Sequence, residues 1–539
     1  MKKIMKASAA IALMAAMGLQ LSPAGASETT PTYVESQNAE VSLKVLATSG
    51  DFYGDYQLDG VPDGTGIYAS GSNVKLLVNH ELSYGDISKT LSRAGGAAFG
   101  STVSALTINP TGQSVVTANE FLKTVKFYNY ATKSWGATPG APEGASAIDG
   151  YGTPLHTTYL SRFCSASLSP AGRFAYVEKG KLYGIKDAVY LTGEESNDES
   201  RGFAVNAAGE MVQIPGFGLA AFETFNNIAT GTKTTAVLGD EDGSATNSQL
   251  WLYQGTKTTS GTWYQRAGLT NGKTYVMKIG SFQIEKDFRA YVGKGIPTSV
   301  SFQEVSNTNN GVKQNAEADV VGTAMARIED GAFDPNDPSV YYFLTTESNK
   351  DAKATALDPN NSAVTKRDGG ALWKLKLKDI KNPAAGGTIT MLLDGTEAPY
   401  LNKPDNLEVD GFGNIIIQED PGANAQVSRM FAYRIADGKI ATIAKFSDKM
   451  FSATKADPSF ITEDEETSGV LNVTKYFKKS KTDSNKYYVF VAQVHVTGDA
   501  LLKARPDITS AEAKAKLLKA VEAGQIYLMT VSNWSKLYN

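Results

Sequence analysis

Cys164 is the only cysteine in a chain of 539 residues. It stands in the stretch SRFCSASLSP, Ser161 to Pro170, and with no second thiol it forms no internal disulfide. Three chemistries are open to it: an inert buried side chain, a nucleophile, or a thiolate that binds a metal. A cysteine hydrolase needs a partnered histidine. The chain has only His80, His156 and His495, and they form no HExxH or other zinc-binding cluster. Carboxylates are far more plentiful. Asn79-His80-Glu81, Glu194-Glu195, Asp240-Glu241-Asp242, Arg327-Ile-Glu329-Asp330, Asp405-Asn406 and Glu419-Asp420 each stand beside an apolar run with strand character. Hard oxygen donors in that number suit Ca²⁺ or Mg²⁺, and also Fe³⁺ or Mn²⁺. Buried without such partners, they would cost several kcal/mol each. The acidic run Thr462–Gly469, TEDEETSG, reads instead as a solvated loop, and His156 and His495 read as structural.

The elements that must position these groups are short strands. A turn of Ser, Asn or Asp with Gly or Pro precedes a period-2 apolar run in TINPTGQSVV, SLSPAGRFAYV, AVNAAGEMVQI, AFDPNDPSVYYFL and EVDGFGNIIIQ. With 51 glycines and 25 tyrosines, this favours an all-β chain. Many hairpin strands with irregular spacing and no dividing linker fit a β-propeller, in which strand ends converge on a central channel. Polar stretches near 225–320 and 350–400 read as insertions. One helix is signalled by Thr509 as N-cap with Glu512 three residues on, Leu517, Leu518 and Val521 on one face, and Gly524 as the stop. QIYLMTVSNW then reads as a closing strand.

Residues 1–26 read as a secretory signal peptide: Lys2, Lys3 and Lys6, an apolar Ala7–Leu19, and Ala24-Gly25-Ala26 for cleavage. The mature chain, 27–539, is expected to be one propeller domain, secreted or periplasmic, with no membrane span. A net charge of −4 with no basic block argues against nucleic acid as a partner.

In this order, the pieces GVPDGTGIY (60–68), LLVNHEL (76–82), STVSALTIN (101–109), RFCSASL (162–168), LTGEE (191–195), RGFA (201–204), PGFGLAAFET (215–224), LGDED (238–242), ARIED (326–330), KPDNLEVDGFGNIIIQED (403–420) and EETSG (465–469) resemble the PhoX-type alkaline phosphatases. The resemblance implies a six-bladed propeller with an iron–calcium cluster in the channel mouth and metal-assisted hydrolysis of small phosphomonoesters by a monomeric enzyme. It implies Cys164 and Glu195 as iron ligands, and Glu241, Glu329, Asp405 and Glu419 as further metal ligands. Arg327 and His80 would be catalytic, with Arg327 and Asn406 contacting substrate. Which of two adjacent acids binds metal in GEE, GDED and QED stays open, with Asp420 the alternative to Glu419. Two other functions also stay open: a calcium-binding propeller without catalysis, and a calcium-only propeller hydrolase of lactonase or phytase type.

Overall fold

The computed structural model describes residues 31–538, apart from 84–90, 94, 95, 99, 151, 245, 348–368, 423–425 and 453. The expected signal peptide, 1–26, lies outside the described residues. Six blades follow one another along the chain, antiparallel but for the parallel pairing of Thr124–Asn129 with Glu210–Gln213 in the second. Their inner strands are β1 (Pro62–Ser70), β2 (Ala166–Ser169), β3 (Phe222–Asn227), β4 (Ile328–Asp334), β5 (Pro404–Val409) and β6 (Glu465–Asn472). Each lies against the next, and β6 returns against β1, so the ring is closed. This is the all-β propeller expected from the strand pattern, with six blades.

The N-terminal segments close the ring. Val41–Thr48 pairs antiparallel with Ala523–Val531 as the outermost strand of the sixth blade. Val34–Ser36 does the same for the fifth, against Ile440–Phe446. Edge strands are thereby covered by chain from the opposite terminus. The blades pack through apolar side chains that alternate with polar ones along each strand. Leu76 and Val78 of the first blade meet Val489, Val491 and Ile526 of the sixth. Tyr488, Phe490 and Tyr527 of the sixth meet Ile416 and Met430 of the fifth. Each such burial is worth about 1.5–3 kcal/mol against exposure.

The described residues of the two stretches expected as insertions are largely blade, 350–368 lying outside the described residues. Thr234–Glu241, Leu250–Thr256, Lys273–Ile279 and Thr298–Val305 complete the third blade, and Ala371–Leu377 and Gly387–Leu393 complete the fourth. Thr298–Val305 pairs with Gly387–Leu393, so these two blades run together as one nine-stranded sheet. Outer strands bury only alternate residues, which is why they look polar in sequence. Helices Glu285–Tyr291 and Gly311–Val321 are inserted between the strands.

The C-terminal helix is shorter than its sequence signals suggest. It spans Ala511–Leu517, and Ser510, not Thr509, caps it by accepting from the Ala513 amide. Leu518 is largely exposed, while Val521 and Glu522 turn left-handed at φ 46° and 57° and end the run. Gly524 lies inside the following strand; a Cβ there would meet Pro62 Cδ at 2.3 Å, so close packing rather than helix termination demands glycine. No described helix is long and apolar enough to cross a membrane.

Candidate metal centre

One hydrogen bond recurs in all six blades and builds the site. Just before each inner strand, a carbonyl accepts from the amide at the end of that blade's second strand. The pairs are Val61–Glu81, Arg162–Glu195, Ala221–Asp242, Arg327–Thr346, Lys403–Asp420 and Asp464–His495, at 2.8–3.1 Å. Two residues after each carbonyl come Asp63, Cys164, Glu223, Glu329, Asp405 and Glu466. Two rings of side chains thus face one another at the same end of the channel. In four blades the carbonyl residue is left-handed without being glycine: Val61 at φ 41°, Arg162 at 36°, Arg327 at 60° and Lys403 at 48°. Such backbone is costly and persists where surrounding structure enforces it, often at functional sites.

The rings line a cavity of about 310 Å³. Its walls carry Asp63, Glu81, Glu195, Glu223, Asp242, Glu329, Asp405, Asp420, Asp464, Glu466 and Glu522, together with Cys164, against two arginines, Arg162 and Arg327, and one histidine, His495. Several of the acids are hydrogen-bonded by neutral donors. Asp63 accepts from Ser468 Oγ and Gln493 Nε2, Glu223 from the Ser165 amide, Asp405 from Asn406 Nδ2 and Glu466 from Gln493 Nε2. Burial, followed by mutual repulsion, pushes Asp63, Glu223, Glu329, Asp405 and Glu466 well above the ordinary carboxylate range. Burial also raises Glu195, against the pull of Arg162. The Cys164 thiol is pushed up by burial and then by Glu195 and Glu81. Glu81 is the exception: burial raises it, but Arg162 and His495 outweigh that and hold it low. His495 donates or accepts at Nδ1 with Glu522 at 2.8 Å, and this bond outweighs burial to raise its pKa to about 9.

An excess of buried acids over cations is unstable unless protons or metal ions neutralise it. Ligand atoms come within 4.8 Å of one another in three triads: Asp63–Glu81–Cys164, Cys164–Glu195–Glu223 and Asp405–Asp420–Glu466. The first two share the thiol and suit a metal that accepts sulfur with oxygen; the third is all oxygen and suits Ca²⁺. The donor set therefore fits bound cations.

Strand alternation decides between adjacent acids. The thirty-residue path from Cys164 to Glu195 closes on itself, with Cys164 Sγ 2.9 Å from Glu195 Oε2. Glu194 turns away and is gripped by Arg201 Nε and Nη2, both at 2.7 Å, while accepting from the Ser161 amide. Glu241 does not reach the cavity. It accepts from Trp251 Nε1 at 2.7 Å and the Gln249 amide, and Asp242 lines the cavity instead. Glu419 is likewise outside, gripped by Arg429 and accepting from the Asn402 amide, and Asp420 faces inward. Glu194 and Glu419, turned away from the cavity, brace the loops that feed β2 and β5.

The remaining expected residues divide. Glu329, Asp405 and Arg327 line the cavity. Arg327 is held by Asp242 through Nε and Nη2 at 2.7 and 2.6 Å. His80 is fully buried outside it, with Nδ1 2.8 Å from Gly60 O and Nε2 2.6 Å from Ser104 Oγ, because it is one residue short of Glu81 in the alternation. Asn406 is also outside; its Oδ1 accepts from Ser165 Oγ and the Gly469 amide and ties β5 to its neighbours. Several cavity residues went unread in the sequence. Asp63, Glu223 and Glu466 occupy the same place in their blades as Glu329 and Asp405, and aligning VPDG, AFET, RIED, KPDN and DEET reveals them. The run taken as a solvated loop is the start of β6, with Glu466 buried in the cavity. His495, taken as structural, lines the cavity too.

The family model "Alkaline phosphatase PhoX" matches residues 190–477, more than half of the chain. The pieces before residue 190 lie outside that match, and the fold ties them to the same cavity. Pseudomonas fluorescens PhoX in complex with vanadate, a transition state analogue, is a similar solved structure. It has TM-score 0.58 at 12% identity over 93% of this chain and 97% of that one, a likeness of fold. The WD40 domain of SCAP from fission yeast (TM-score 0.28, 9% identity, 92% of this chain and 99% of that one) is too remote to carry an argument. No curated protein matches the sequence significantly. A six-bladed ring whose strand ends gather carboxylates and one thiol is thus joined to a family match over its central and later blades, and the chain belongs to the PhoX alkaline phosphatase family.

Proposed function

We propose that the chain is an exported, metal-dependent phosphomonoesterase that releases phosphate from small organic phosphoesters. The observation that carries this reading is the convergence of acids from all six blades, with Cys164 and Arg327, on one cavity. Asp63, Glu81, Cys164, Glu195 and Glu223 would hold iron, and Asp405, Asp420 and Glu466 calcium, with Glu329 between the groups. Bound cations supply Lewis acidity and cancel the charge that builds on phosphoryl oxygens during hydrolysis. Arg327 would contact the phosphate through its planar fork, kept in place by Asp242 and by the bond from the Thr346 amide to its carbonyl. His495, protonated against Glu522, adds positive charge to the cavity wall in the sixth blade. The braced acids Glu194 and Glu419 contribute no chemistry; they fix the loops from which Cys164 and Asp405 project. The Pseudomonas fluorescens PhoX of similar fold forms a complex with vanadate, a transition state analogue, and this supports the phosphatase reading. Residues 1–26 would direct export.

The test is hydrolysis of p-nitrophenyl phosphate by protein purified without chelators and assayed in calcium. Turnover that is lost on chelation and regained with metal is expected. Bound calcium without turnover of any phosphomonoester would overturn the reading in favour of a non-catalytic or calcium-only propeller.

A further inference from the structure

We infer that Arg162 is a second phosphate-contacting arginine, the counterpart of Arg327 in the second blade. The inference rests on the phosphatase reading above and extends it to a residue that the sequence did not single out. Arg162 precedes Cys164 by two residues, as Arg327 precedes Glu329. Both are left-handed, at φ 36° and 60°, a strained state for a branched-out side chain that serves no turn here. Both carbonyls accept the six-fold recurring bond, from Glu195 and Thr346, and the Arg162 amide donates to Leu82 O at 3.1 Å. Its backbone is therefore fixed on both sides, and the guanidinium is aimed by the fold.

Two features set the side chain apart from a purely structural brace. The first is what its nitrogens do. Its pairs with Glu81 and Glu195, each 2.7 Å, both run through Nη2. Nη1 is not used by either pair, and Nε, itself buried, has no hydrogen-bond partner among the described residues. The bracing arginine Arg201, by contrast, spends Nε, Nη1 and Nη2 on Glu194 and two carbonyls and is almost wholly buried. The Arg162 side chain is 43% exposed. The second feature is position. The metal-centre cavity adjoins a second, polar cavity of about 750 Å³, and Arg162 and Arg327 border both. A phosphate monoester reaching the carboxylate ring from that side meets the guanidiniums of both Arg162 and Arg327. Arginine is suited to this, because its planar fork matches phosphate oxygens in pairs.

The test is titration of inorganic phosphate into the full chain loaded with calcium and iron, followed by calorimetry, with metal content measured on the same samples. Arg162→Ala is expected to weaken phosphate binding about tenfold or more with metal content unchanged. Arg162→Lys, which keeps the charge and loses the fork, is expected to fall between and carries the test if the alanine variant does not fold. Unchanged phosphate affinity overturns the inference. So does a loss of affinity that tracks loss of metal and is restored by excess cation, since Arg162 would then only position Glu81 and Glu195. Wild-type protein that binds phosphate beside an indifferent variant refutes this inference alone. Wild-type protein that neither binds phosphate nor turns over a phosphomonoester refutes the phosphatase reading with it.

Discussion

Stripping the cations should reverse the way stability responds to pH. In the cation-free protein the carboxyls of the ring have folded pKa values raised above their unfolded ones, by burial first and then by one another. A raised carboxyl lends its full stability below the unfolded value, near 4, and loses it as pH climbs toward the folded value. Each group held protonated only in the folded state costs about 1.4 kcal/mol per pH unit. Two further carboxyls lie in the channel below the ring: Asp330, raised by burial to about 7, and Glu408, raised by burial to about 8. These two lose stability with or without metal. The ring carboxyls differ, because cations bind them ionised and binding releases protons. Each ring carboxyl that a cation holds ionised therefore widens the gap between loaded and chelated protein by about 1.4 kcal/mol per pH unit as pH rises above the unfolded value. Typical total stability is about 5–15 kcal/mol, so a few such carboxyls are enough to make the chelated protein measurably weaker as pH rises from 5 to 8. Thermal melts by circular dichroism at pH 5, 6, 7 and 8, with chelator and with calcium plus iron, read this directly. A gap that stays constant across that range would refute the reasoning, since the ring would then be neutralised by something other than cations.

Three further outcomes follow from the geometry. Cys164→Ser should keep the fold within about 1 kcal/mol, as a small buried replacement does, while iron content and phosphatase activity fall at least tenfold; unchanged iron would make the thiol core filler. Glu419→Gln and Asp420→Asn should part ways: the first leaves half-buried Arg429 without its carboxylate partner and costs about 3 kcal/mol in denaturant unfolding, the second spares stability and lowers calcium affinity and activity. Truncation of the mature chain through Thr48 should destabilise the sixth blade by several kcal/mol, because Ala523–Val531 loses its outer partner; a truncated protein with wild-type melting would show that the ring closes without that strand.

How much of this was legible in sequence depends on which physical rule was at stake. Alternating apolar runs between Asn, Asp and Gly turns exposed the strands, and their number without a linker exposed the propeller. Acids beside apolar runs marked the right stretches, because carboxylates are expensive to bury without a partner, but it was the family resemblance that selected Cys164, Glu195, Glu329, Asp405 and Arg327 within them. Register was not legible. A single residue separates His80 from Glu81, Glu241 from Asp242 and Glu419 from Asp420, and only the antiparallel pairing shows which of each pair faces the channel. Composition also misread the outer strands of the third and fourth blades, which bury one face and display the other. Glu466 was hidden for the opposite reason: a dense acidic run looks solvated until its strand is known to be innermost.

The central claim is that the ring of acids exists to hold metal for phosphoester hydrolysis. The most direct measurement is metal content per chain in wild-type protein beside a Glu329→Gln/Asp405→Asn variant, with p-nitrophenyl phosphate turnover on the same samples. The account predicts calcium and iron in stoichiometric amounts in the wild type, with metal and turnover lost together in the variant. Wild-type protein that hydrolyses the ester while free of bound metal would contradict it.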